Sequence, residues 1–503
     1  MSYRLPPGRP SRPYSGAARL LSQIGSRFHL LRAIRRAWLP LLIVYFAYGA
    51  LGLIDISRDL WVKESLHLSP AELASLAVWL NLPWTVKMVF GQMVDSLPIA
   101  GSQRRAYLLI GAGLMALGLV TLAGAAGGWL GHVLTPTGLY VAGNLLLVVG
   151  TVLQDVVADA MTSEVVERED EWGTPRPDDE VRADLGMVQL LGRIALSLGV
   201  LSVAGLSGWL ASFLSRETVF LMGLAIPCIT VAAALMARDT AHEVQSPDWR
   251  ILGGGIGFGV AVMAIALGGV PYGQEVIFAL SMAVVIRMLV LVTRELDSAT
   301  RRAILFSSII IFAFRAVPGA GDGAFWWSLD ELGFDETFLG TLRQTAAIVS
   351  ILGLYLLRNQ LTRHSVPSVL FWLTLVGALL ALPSIALFYG LHHWTQAVFG
   401  FGARTISLVD SAASGPFAQL AMVPLLTLVA YYAPPGRQAT WFALMASLMN
   451  MALVAGQLQT KYLNLIFPVG RGHYEALGHL LIAVTVIGLV LPLGALALFR
   501  RRQ

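Results

Sequence analysis

The chain keeps several ionisable side chains inside segments that are otherwise apolar. They are Lys87, Asp155, Asp159, Arg193, Arg315, Asp322, Arg343, Arg404 and Asp410. An ionisable residue in the middle of a bilayer costs about 2.5–3.5 kcal/mol on insertion scales, so each needs a partner or a water-filled cavity. A face turned to lipid would not tolerate them. We therefore expect these side chains to point inward, toward a shared polar chamber.

Asp155 and Asp159 have the spacing of a candidate proton-binding site. They are four residues apart, so on a helix they share one face. Two carboxylates this close in a medium of low dielectric favour binding of a proton near neutral pH. The alternative is that one of them is permanently paired with Lys87 or Arg193 on a neighbouring helix. The sequence leaves both interpretations open.

A second group lies in the apolar run 303–328. Arg315 and Asp322 are seven residues apart, which predicts that they share one face of a single helix. Trp326 follows Asp322 by one helical turn. The alternative is structural, with Arg315 in an ion pair with Asp322 or Asp410, and with the aromatic residues at the membrane interface.

Membrane helices must position these residues. The chain has 503 residues, of which 56% are hydrophobic and 13% are charged. A soluble protein of this length would expose more charge, so lipid must be the solvent for most of the chain. The single cysteine, Cys228, gives no disulfide framework, and no Cys/His cluster indicates a metal or another cofactor. We attribute the net charge of +5 to orientation in the membrane and not to nucleic-acid binding.

The motifs of common enzyme classes are missing from the sequence. It holds no phosphate-binding loop, no zinc motif and no nucleophile elbow. We therefore expect no catalytic residue and no enzyme activity. Any transport by this chain would draw its energy from an ion gradient.

Apolar runs of about 20 residues predict about fourteen membrane spans. Six lie near 38–56, 72–95, 106–127, 138–163, 183–213 and 217–237, two near 251–270 and 274–296, and six near 303–328, 335–357, 366–390, 402–432, 437–466 and 475–499. The predicted organisation is a basic tail (1–36), an N-terminal six-helix bundle (37–240), an inserted hairpin (241–300) and a C-terminal six-helix bundle (301–503). A weak internal repeat at an offset of about 266 residues supports two related halves.

The distribution of basic residues predicts the orientation. Loops on the side of both termini hold most of the Lys and Arg residues, which indicates that both termini are cytoplasmic. The tail 1–36 is basic and acid-free, and we interpret it as a cytoplasmic tail, with an organelle transit peptide as the alternative. The acidic segment 164–184 is then a cytoplasmic connector. We expect a multi-pass protein of the bacterial inner membrane, or alternatively of an organelle membrane.

The stretch 81–107 predicts a hinge between two membrane helices. It carries Gly91 and Asp95 at the end of one helix, and Arg104 and Arg105 before the next. We assign these four residues to gating, with Gly91 allowing close approach of a neighbouring helix. The alternative for the arginines is a topology signal. Gly199, Gly205, Gly208 and Gly456 are also expected to allow close helix packing.

Several patterns, in order along the chain, resemble the folate-biopterin transporter family of the major facilitator superfamily. The signature of its second and third helices is similar to Pro83-Trp84, Lys87, Gly91-x-x-x-Asp95, Pro98, Arg104-Arg105 and Tyr107. Similar matches follow in the acidic fourth helix (155–164), in the seventh and eighth helices (318–340), and in the tenth and eleventh (410–450). Together they cover most of the chain apart from the leader and the inserted hairpin.

The resemblance implies a symporter of folate or pterin-type metabolites that is driven by protons, with two six-helix bundles around a central cavity. A pterin is a flat heterocycle, so Asp322 would face its N–C–N edge while Trp326 stacks on the ring. Arg315 or Arg343 would bind the carboxylates of a folate glutamate tail. Asp410 matches a position of the family.

The chain also departs from the family pattern. Gln438 stands where the family usually has Glu, Arg315 replaces an expected uncharged polar residue, and the hairpin lies outside the usual twelve-helix plan. One alternative is therefore a transporter of S-adenosylmethionine or another metabolite in the same family. A second alternative is a membrane protein that assembles or delivers a pigment without transport. Charges kept in mid-membrane favour transport.

Overall fold

The computed structural model describes residues 36–166, 169, 172, 174–237, 247, 249–268, 270–294, 297–363, 366–420, 425, 429 and 438–500. The predicted tail, apart from Arg36, and the motif at 434–436 lie outside these residues. The described chain is built of α-helices and short 3-10 turns. The prediction of an all-α membrane protein is therefore confirmed.

We treat the helices before residue 240 as the N-terminal half. They are α1 (Leu39–Ala50), α2 (Asp55–Ser65), α3 (Pro70–Thr85), α4 (Lys87–Ser96), α5 (Arg105–Ala126), α6 (Pro136–Glu164), α7 (Asp178–Phe213), α8 (Arg216–Met222) and α9 (Ala225–Met236). The 3-10 turn Leu51–Ile54 joins α1 to α2, so that the first span runs from Arg36 to Ser65.

The hairpin and the C-terminal half follow. The hairpin consists of α10 (Trp249–Leu267) and α11 (Gly273–Thr293). The C-terminal half comprises α12 (Ser298–Arg315), α13 (Asp322–Asp330), α14 (Glu336–Arg363), α15 (Val366–Leu380), α16 (Leu382–Phe388), α17 (Leu391–Phe399), α18 (Ala403–Leu420), α19 (Gln438–Ile466) and α20 (Leu477–Arg500). The division into these parts stays a prediction.

Among the described helices, nine stretches are long and apolar enough to cross a membrane. The remaining predicted spans contain α10, α12 to α14, α18 and α19, which are shorter or carry more polar and charged residues. The predicted total of about fourteen spans therefore stays a prediction.

Local signals in the sequence set the helix starts. Ser69 and Glu72 form a capping box before α3, in which the Ser69 N–H donates to the Glu72 carboxylate at 2.7 Å. Pro70 then occupies the first helical position, where a missing N–H costs nothing. Asp297 caps α12 by accepting from the Thr300 N–H at 2.9 Å. These caps fix where two of the membrane helices begin.

The second span is broken in its middle. Pro83 lies inside α3 and removes one backbone hydrogen bond, and the helix ends at Thr85. Val86 has non-helical backbone angles, and α4 starts at Lys87. The break therefore places Lys87 at a helix start within the membrane-spanning region.

The two halves meet along two helix pairs. α7 packs on α14, where Gly205 and Gly208 lie against Gln344 and Gly340; a Cβ atom at Gly208 would meet the Glu336 carbonyl oxygen at 2.3 Å. α3 packs on α19, where a buried apolar cluster joins Val78, Val454 and Leu458.

The glycines that were predicted to allow close packing do so at four positions. They are Gly199 against α1, Gly205 and Gly208 against α14, and Gly456 against the carbonyl of Val317. The prediction for Gly91 is wrong in this conformation, because nothing lies within 4 Å of a Cβ atom added there. Gly91 is half-buried, with open space where a side chain would lie.

The inserted hairpin packs on the seam between α3 and α19. The Lys461 ammonium on α19 lies 2.6 Å from the Glu275 carboxylate at the start of α11, and the Tyr462 hydroxyl donates to the same carboxylate at 2.7 Å. The Gln274 side chain donates to the Ser75 carbonyl oxygen on α3 at 3.2 Å. The hairpin therefore contacts helices of both halves.

We define two ends of the bundle. The proximal end is the one at which Arg36 and Arg500 lie, and the distal end is the opposite one. The turns after α2, α5, α7, α13 and α19 lie at the distal end, because each of these segments runs away from the proximal end.

Candidate transport site

The seventh span breaks at the centre of the site. α12 ends at Arg315 and α13 begins at Asp322, with residues 316–321 non-helical and Gly321 at a φ of 76°. Such backbone is tolerated at membrane depth only where other groups satisfy it. Gln459 donates to the Ala316 carbonyl at 2.6 Å, and the Gly319 N–H donates to the Thr460 hydroxyl at 2.9 Å. Side chains of α19 thus satisfy two backbone groups of the non-helical segment.

A cavity of about 310 Å³ lies between the two halves at this break. Its polar lining includes Asp59 from α2, Tyr140 from α6, Asp322 from α13, and Gln457 and Thr460 from α19. Its apolar lining comes mainly from α3. The volume is at the low end of the about 300–1,000 Å³ found for small-molecule sites. It suits a compact ring system with hydrogen-bond donors.

Four charged side chains form a network beside the cavity, which we call the distal network: Asp55, Arg58, Asp59 and Arg343. Arg343 of the C-terminal half lies 3.0 Å from the Asp59 carboxylate and 3.5 Å from that of Asp55. Arg58 lies 2.8 Å from Asp55 and 3.7 Å from Asp59. The network therefore joins the two halves through ion pairs.

Further polar contacts cross between the halves at the distal end. Lys63 of the N-terminal half donates to Asp330 of the C-terminal half, which also accepts from Tyr474 of its own half. Burial opposes ionisation of Asp330, but these hydrogen bonds outweigh it and lower the pKa of the carboxyl. Burial, together with the hydrogen bond to Asp330, raises the pKa of Tyr474 to about 12. Arg216 adds contacts to Glu64 at 2.9 Å and to Glu336 at 3.4 Å.

Arg471 is a single side chain that spans the distal seam. Its guanidinium donates to four backbone carbonyls of the segment 62–68, among them Lys63 at 2.8 Å and Leu68 at 2.9 Å. Its other side stacks on Trp326, with 4.1 Å between the guanidinium carbon and the ring centroid. The distal end is thus closed by charges, hydrogen bonds and packing.

A second group of charged residues, which we call the proximal cluster, lies entirely in the N-terminal half: Tyr45, Lys87, Asp155, Asp159 and Arg193. Lys87 lies 2.6 Å from the Asp155 carboxylate and 2.5 Å from that of Asp159. The Tyr45 hydroxyl donates to Asp159 at 3.0 Å. The predicted shared face of the two aspartates is confirmed, and so is their pairing with Lys87 in this conformation.

Exposure separates the members of the proximal cluster. The Asp155 side chain is 14% exposed, whereas that of Asp159 is 53% exposed. Arg193 is exposed and makes no ion pair within the described residues, although its charge acts on Asp155. Lys87 therefore pairs with two carboxylates that differ in solvent exposure, and Asp155 is the less exposed of the two.

The predicted gating residues also lie at the proximal end. The Arg104 guanidinium lies 2.9 Å from Asp95 and also contacts Glu164 at the end of α6. It donates a further hydrogen bond to the Val94 carbonyl at 3.3 Å. Arg105 is exposed. Arg104 thus ties the end of α4 to the end of α6, and Glu164 is a partner that we did not predict.

Three predicted site residues lie elsewhere than expected. Arg315 and Asp322 do not share a helical face, because residues 316–321 interrupt the helix between them. Trp326 is fully buried beneath Arg471, so its ring faces no cavity in this conformation. Asp410 contacts Ser414 at 3.2 Å and Ser384 at 3.5 Å, and it does not line the cavity. Of the charges predicted in the seventh span, only Asp322 reaches the cavity.

Arg58 and Asp59 were missed, as was Arg471. The first span was predicted to end near residue 56, whereas the helical segment continues to Ser65. The spacing Asp55-x-x-Arg58-Asp59 places Arg58 and Asp59 next to Asp55 on the surface of a helix. A prediction that extended the first span beyond residue 56 would have identified this group of charges.

Comparison with known proteins gives a consistent family assignment. A model of the BT1 family matches residues 49–503. The folate-biopterin transporter of Synechocystis sp. is 29% identical over 468 residues, which are 92% of this chain and 81% of that protein. Probable folate-biopterin transporter 4 of Arabidopsis thaliana is 24% identical over 484 residues, which are 89% of this chain and 93% of that protein.

Solved structures support the fold. A POT family transporter in complex with a thioalcohol-conjugated peptide superimposes with a TM-score of 0.67 and 13% identity, covering 94% of this chain and 99% of that one. At this identity the likeness shows the fold alone. The predicted major facilitator-like fold is confirmed.

Proposed function

This chain belongs to the BT1 family, and we propose that it carries folate- or pterin-type metabolites across a membrane. Two relatives named folate-biopterin transporters support this substrate class. The observation that carries the proposal is the cavity of about 310 Å³ between the two halves, which carboxylates from both of them line. Lipid-facing positions would not keep such carboxylates.

Transport proceeds by alternating access in this proposal. The conformation described here has its halves joined at the distal end by Arg343 with Asp59 and by Lys63 with Asp330. A major facilitator fold rocks its halves around a site near the middle of the membrane. Breaking the distal contacts and closing the open space beside Gly91 would give the opposite state.

Substrate binds at the cavity through its ring. Asp322 presents a carboxylate that makes no ion pair within the described residues, and it faces the space beside Asp59. A pterin offers two adjacent N–H donors that match a carboxylate. Tyr140 adds an aromatic surface and a hydroxyl. A folate would place its pterin here and extend its tail beyond the cavity.

Protons drive the cycle through the proximal cluster. Asp155 and Asp159 share one ion-pair partner, Lys87, because Arg193 forms no ion pair within the described residues. The two carboxylates therefore have room for one proton. Protonation of Asp155 would release it from Lys87 and change how α4 and α6 are held together. We assign the coupling site to Asp155, with Asp159 as its partner.

We place the proximal end in the cytoplasm of a bacterial cell. Arg104 and Arg105 lie at that end, and cytoplasmic loops carry an excess of Lys and Arg. Both chain termini are then cytoplasmic.

Uptake into proteoliposomes tests the proposal. We expect accumulation of radiolabelled biopterin and folate when an inward-directed proton gradient is imposed, and competition by unlabelled pterin but not by S-adenosylmethionine. Protein-free liposomes are the control for leakage. Competition by S-adenosylmethionine but not by pterin would indicate that S-adenosylmethionine, and not a pterin, is the substrate. Absence of uptake of all three compounds would contradict transport.

A further inference from the structure

We propose that Asp59 links occupancy of the cavity to closure of the distal end, because one carboxylate serves both the cavity and the distal network. A ligand with adjacent N–H donors, such as the edge of a pterin ring, then competes with Arg343 for Asp59. The inference rests on the proposed function for the identity of this ligand. It assigns to Asp59 a role that Asp55 and Asp322 do not share.

The position of Asp59 is the first observation. Its carboxylate lies 3.0 Å from the Arg343 guanidinium, and its residue also lines the cavity with Asp322. Asp55 contacts Arg343 at 3.5 Å but does not line the cavity. Asp322 lines the cavity but makes no ion pair with Arg343 or Arg58. Asp59 is the carboxylate that belongs to both groups.

The balance of charge is the second observation. The distal network and Asp322 together hold three carboxylates and two guanidinium groups, those of Arg58 and Arg343. The charge of Arg471 also acts on Asp322, and Tyr140 lines the same cavity as Asp59 and Asp322. Arg471 is already occupied by four backbone carbonyls. Asp59 and Asp322 are therefore acceptors with capacity for donors from a ligand.

Competition follows from the geometry. A carboxylate has two oxygens, and one Asp59 oxygen accepts from Arg343 while Arg58 lies 3.7 Å from the other. Two N–H donors of a ring that bound to Asp59 would draw its oxygens into the cavity. Arg343 would keep only the longer contact to Asp55. Occupancy would thereby weaken the ion pair that joins α2 to α14.

Three single substitutions separate the two roles. Asp59→Asn should weaken biopterin binding by about tenfold, as expected for loss of a charged hydrogen-bond partner, and should also open the distal end. Asp322→Asn should weaken binding similarly but leave the distal end closed. Asp55→Asn should loosen the distal end without loss of affinity for biopterin, because Asp55 does not line the cavity. Of these three, only the Asp59 variant is expected both to bind biopterin more weakly and to open the distal end.

Arg343→Gln is the decisive variant. It removes the guanidinium that competes for Asp59 and keeps the carboxylates of the cavity, so biopterin should bind more tightly than to the wild-type protein. The expected gain is about fivefold or more, which corresponds to a lost competing ion pair of about 1 kcal/mol. Biopterin lacks the glutamate tail, so a direct contact of Arg343 with a tail does not affect this result. A merely structural role of Arg343 would lower the affinity.

Two measurements on the full-length chain give the readout. Equilibrium binding of radiolabelled biopterin to detergent-solubilised protein reports affinity. Double electron–electron resonance reports the separation of the two halves at the distal end. Spin labels are attached at His132→Cys and Trp394→Cys in a Cys228→Ser background; both positions are exposed, one in each half. Biopterin should increase the fraction of long distances in the wild-type background and leave that of the Asp59→Asn variant unchanged.

The outcomes are distinct. The coupling is overturned if Asp59→Asn leaves the distal distances as in the wild type, if Asp322→Asn lengthens them equally, or if Arg343→Gln weakens binding. Should Asp59→Asn fail to fold, the Arg343→Gln result alone decides. If the wild-type protein binds no pterin, the proposed function fails, and the coupling falls with it.

Discussion

The distal and proximal ends of the molecule place their charges differently. At the distal end, Arg343 and Lys63 bind carboxylates of the opposite half. At the proximal end, Lys87 and Arg104 bind carboxylates of their own half. The halves can therefore separate at the proximal end without breaking these pairs, whereas separation at the distal end must break ion pairs. The same types of residue thus join the two halves at one end and lie within one half at the other.

The largest effect is expected at the proximal cluster. Lys87→Met leaves Asp155 and Asp159 facing each other without their ion-pair partner, which should destabilise the protein by about 3 kcal/mol, as for other enclosed pairs that lose one partner. Uptake should be abolished. Thermal unfolding of the solubilised protein and uptake into proteoliposomes measure both effects.

Arg193→Met is the matched control for Lys87→Met. Arg193 is exposed and forms no ion pair within the described residues, so its loss should change the unfolding temperature much less. Equal losses of stability in the two variants would contradict the assignment of Lys87 as the compensating charge.

Asp155→Asn should uncouple uptake from the proton gradient. The variant keeps the pair of Lys87 with Asp159 but removes the enclosed carboxylate. Uptake should be equal with and without an imposed gradient. Asp159→Asn should retain part of the stimulation, because the enclosed carboxylate of Asp155 remains and the Asp159 side chain, which is 53% exposed, is the less enclosed of the two. Undiminished stimulation in Asp155→Asn would remove that residue from the coupling.

Glycines at the two ends provide a contrast in packing. A side chain at Gly208 would meet the Glu336 carbonyl, so Gly208→Val should destabilise this conformation by about 1–3 kcal/mol. At Gly91 an added Cβ atom meets nothing within 4 Å, so Gly91→Val should leave the unfolding temperature nearly unchanged, yet slow uptake if the space beside Gly91 closes in the opposite state. Unfolding temperatures and uptake rates of the two variants make the comparison. Equal destabilisation would show that the proximal face is already packed.

The smallest effect concerns Asp330. Its pKa is lowered, so its stabilising contribution is present above the ordinary pKa of about 3.9 and is lost as pH falls through the lower value. The side chain is 37% exposed, so Asp330→Asn should cost less than about 1 kcal/mol at pH 7. The difference in unfolding temperature between wild type and variant should shrink as the pH falls below the ordinary Asp pKa of about 3.9. A difference that persists there would assign the effect to packing.

Helix positions were predictable because lipid imposes long apolar runs. Asp155, Asp159 and Lys87 could be identified as a group, since a helical face and a shared need for compensation follow from the sequence alone. The pairing of Arg343 with Asp59 could not, because 284 positions separate the partners and only the packed halves bring them together.

The error in the seventh span has a local cause. A spacing of seven predicts a shared face only if the helix is continuous. The segment Pro318-Gly-Ala-Gly321 holds a proline and two glycines in four positions, and this composition is typical of a break. Giving weight to these residues would have separated Arg315 from Asp322 and placed Asp322 at a helix start. Trp326 would still have been assigned to the cavity, since nothing local indicates that Arg471 covers it.

Accessibility of the cavity from each side of the membrane tests the central claim most directly. Ala77 lines the cavity, and Ala77→Cys in a Cys228→Ser background can be labelled with a membrane-impermeant maleimide in vesicles of either orientation. We predict faster labelling from the proximal side and protection by biopterin. Equal labelling from both sides without protection by biopterin, or no labelling from either side, would contradict a chamber that alternates between the two ends.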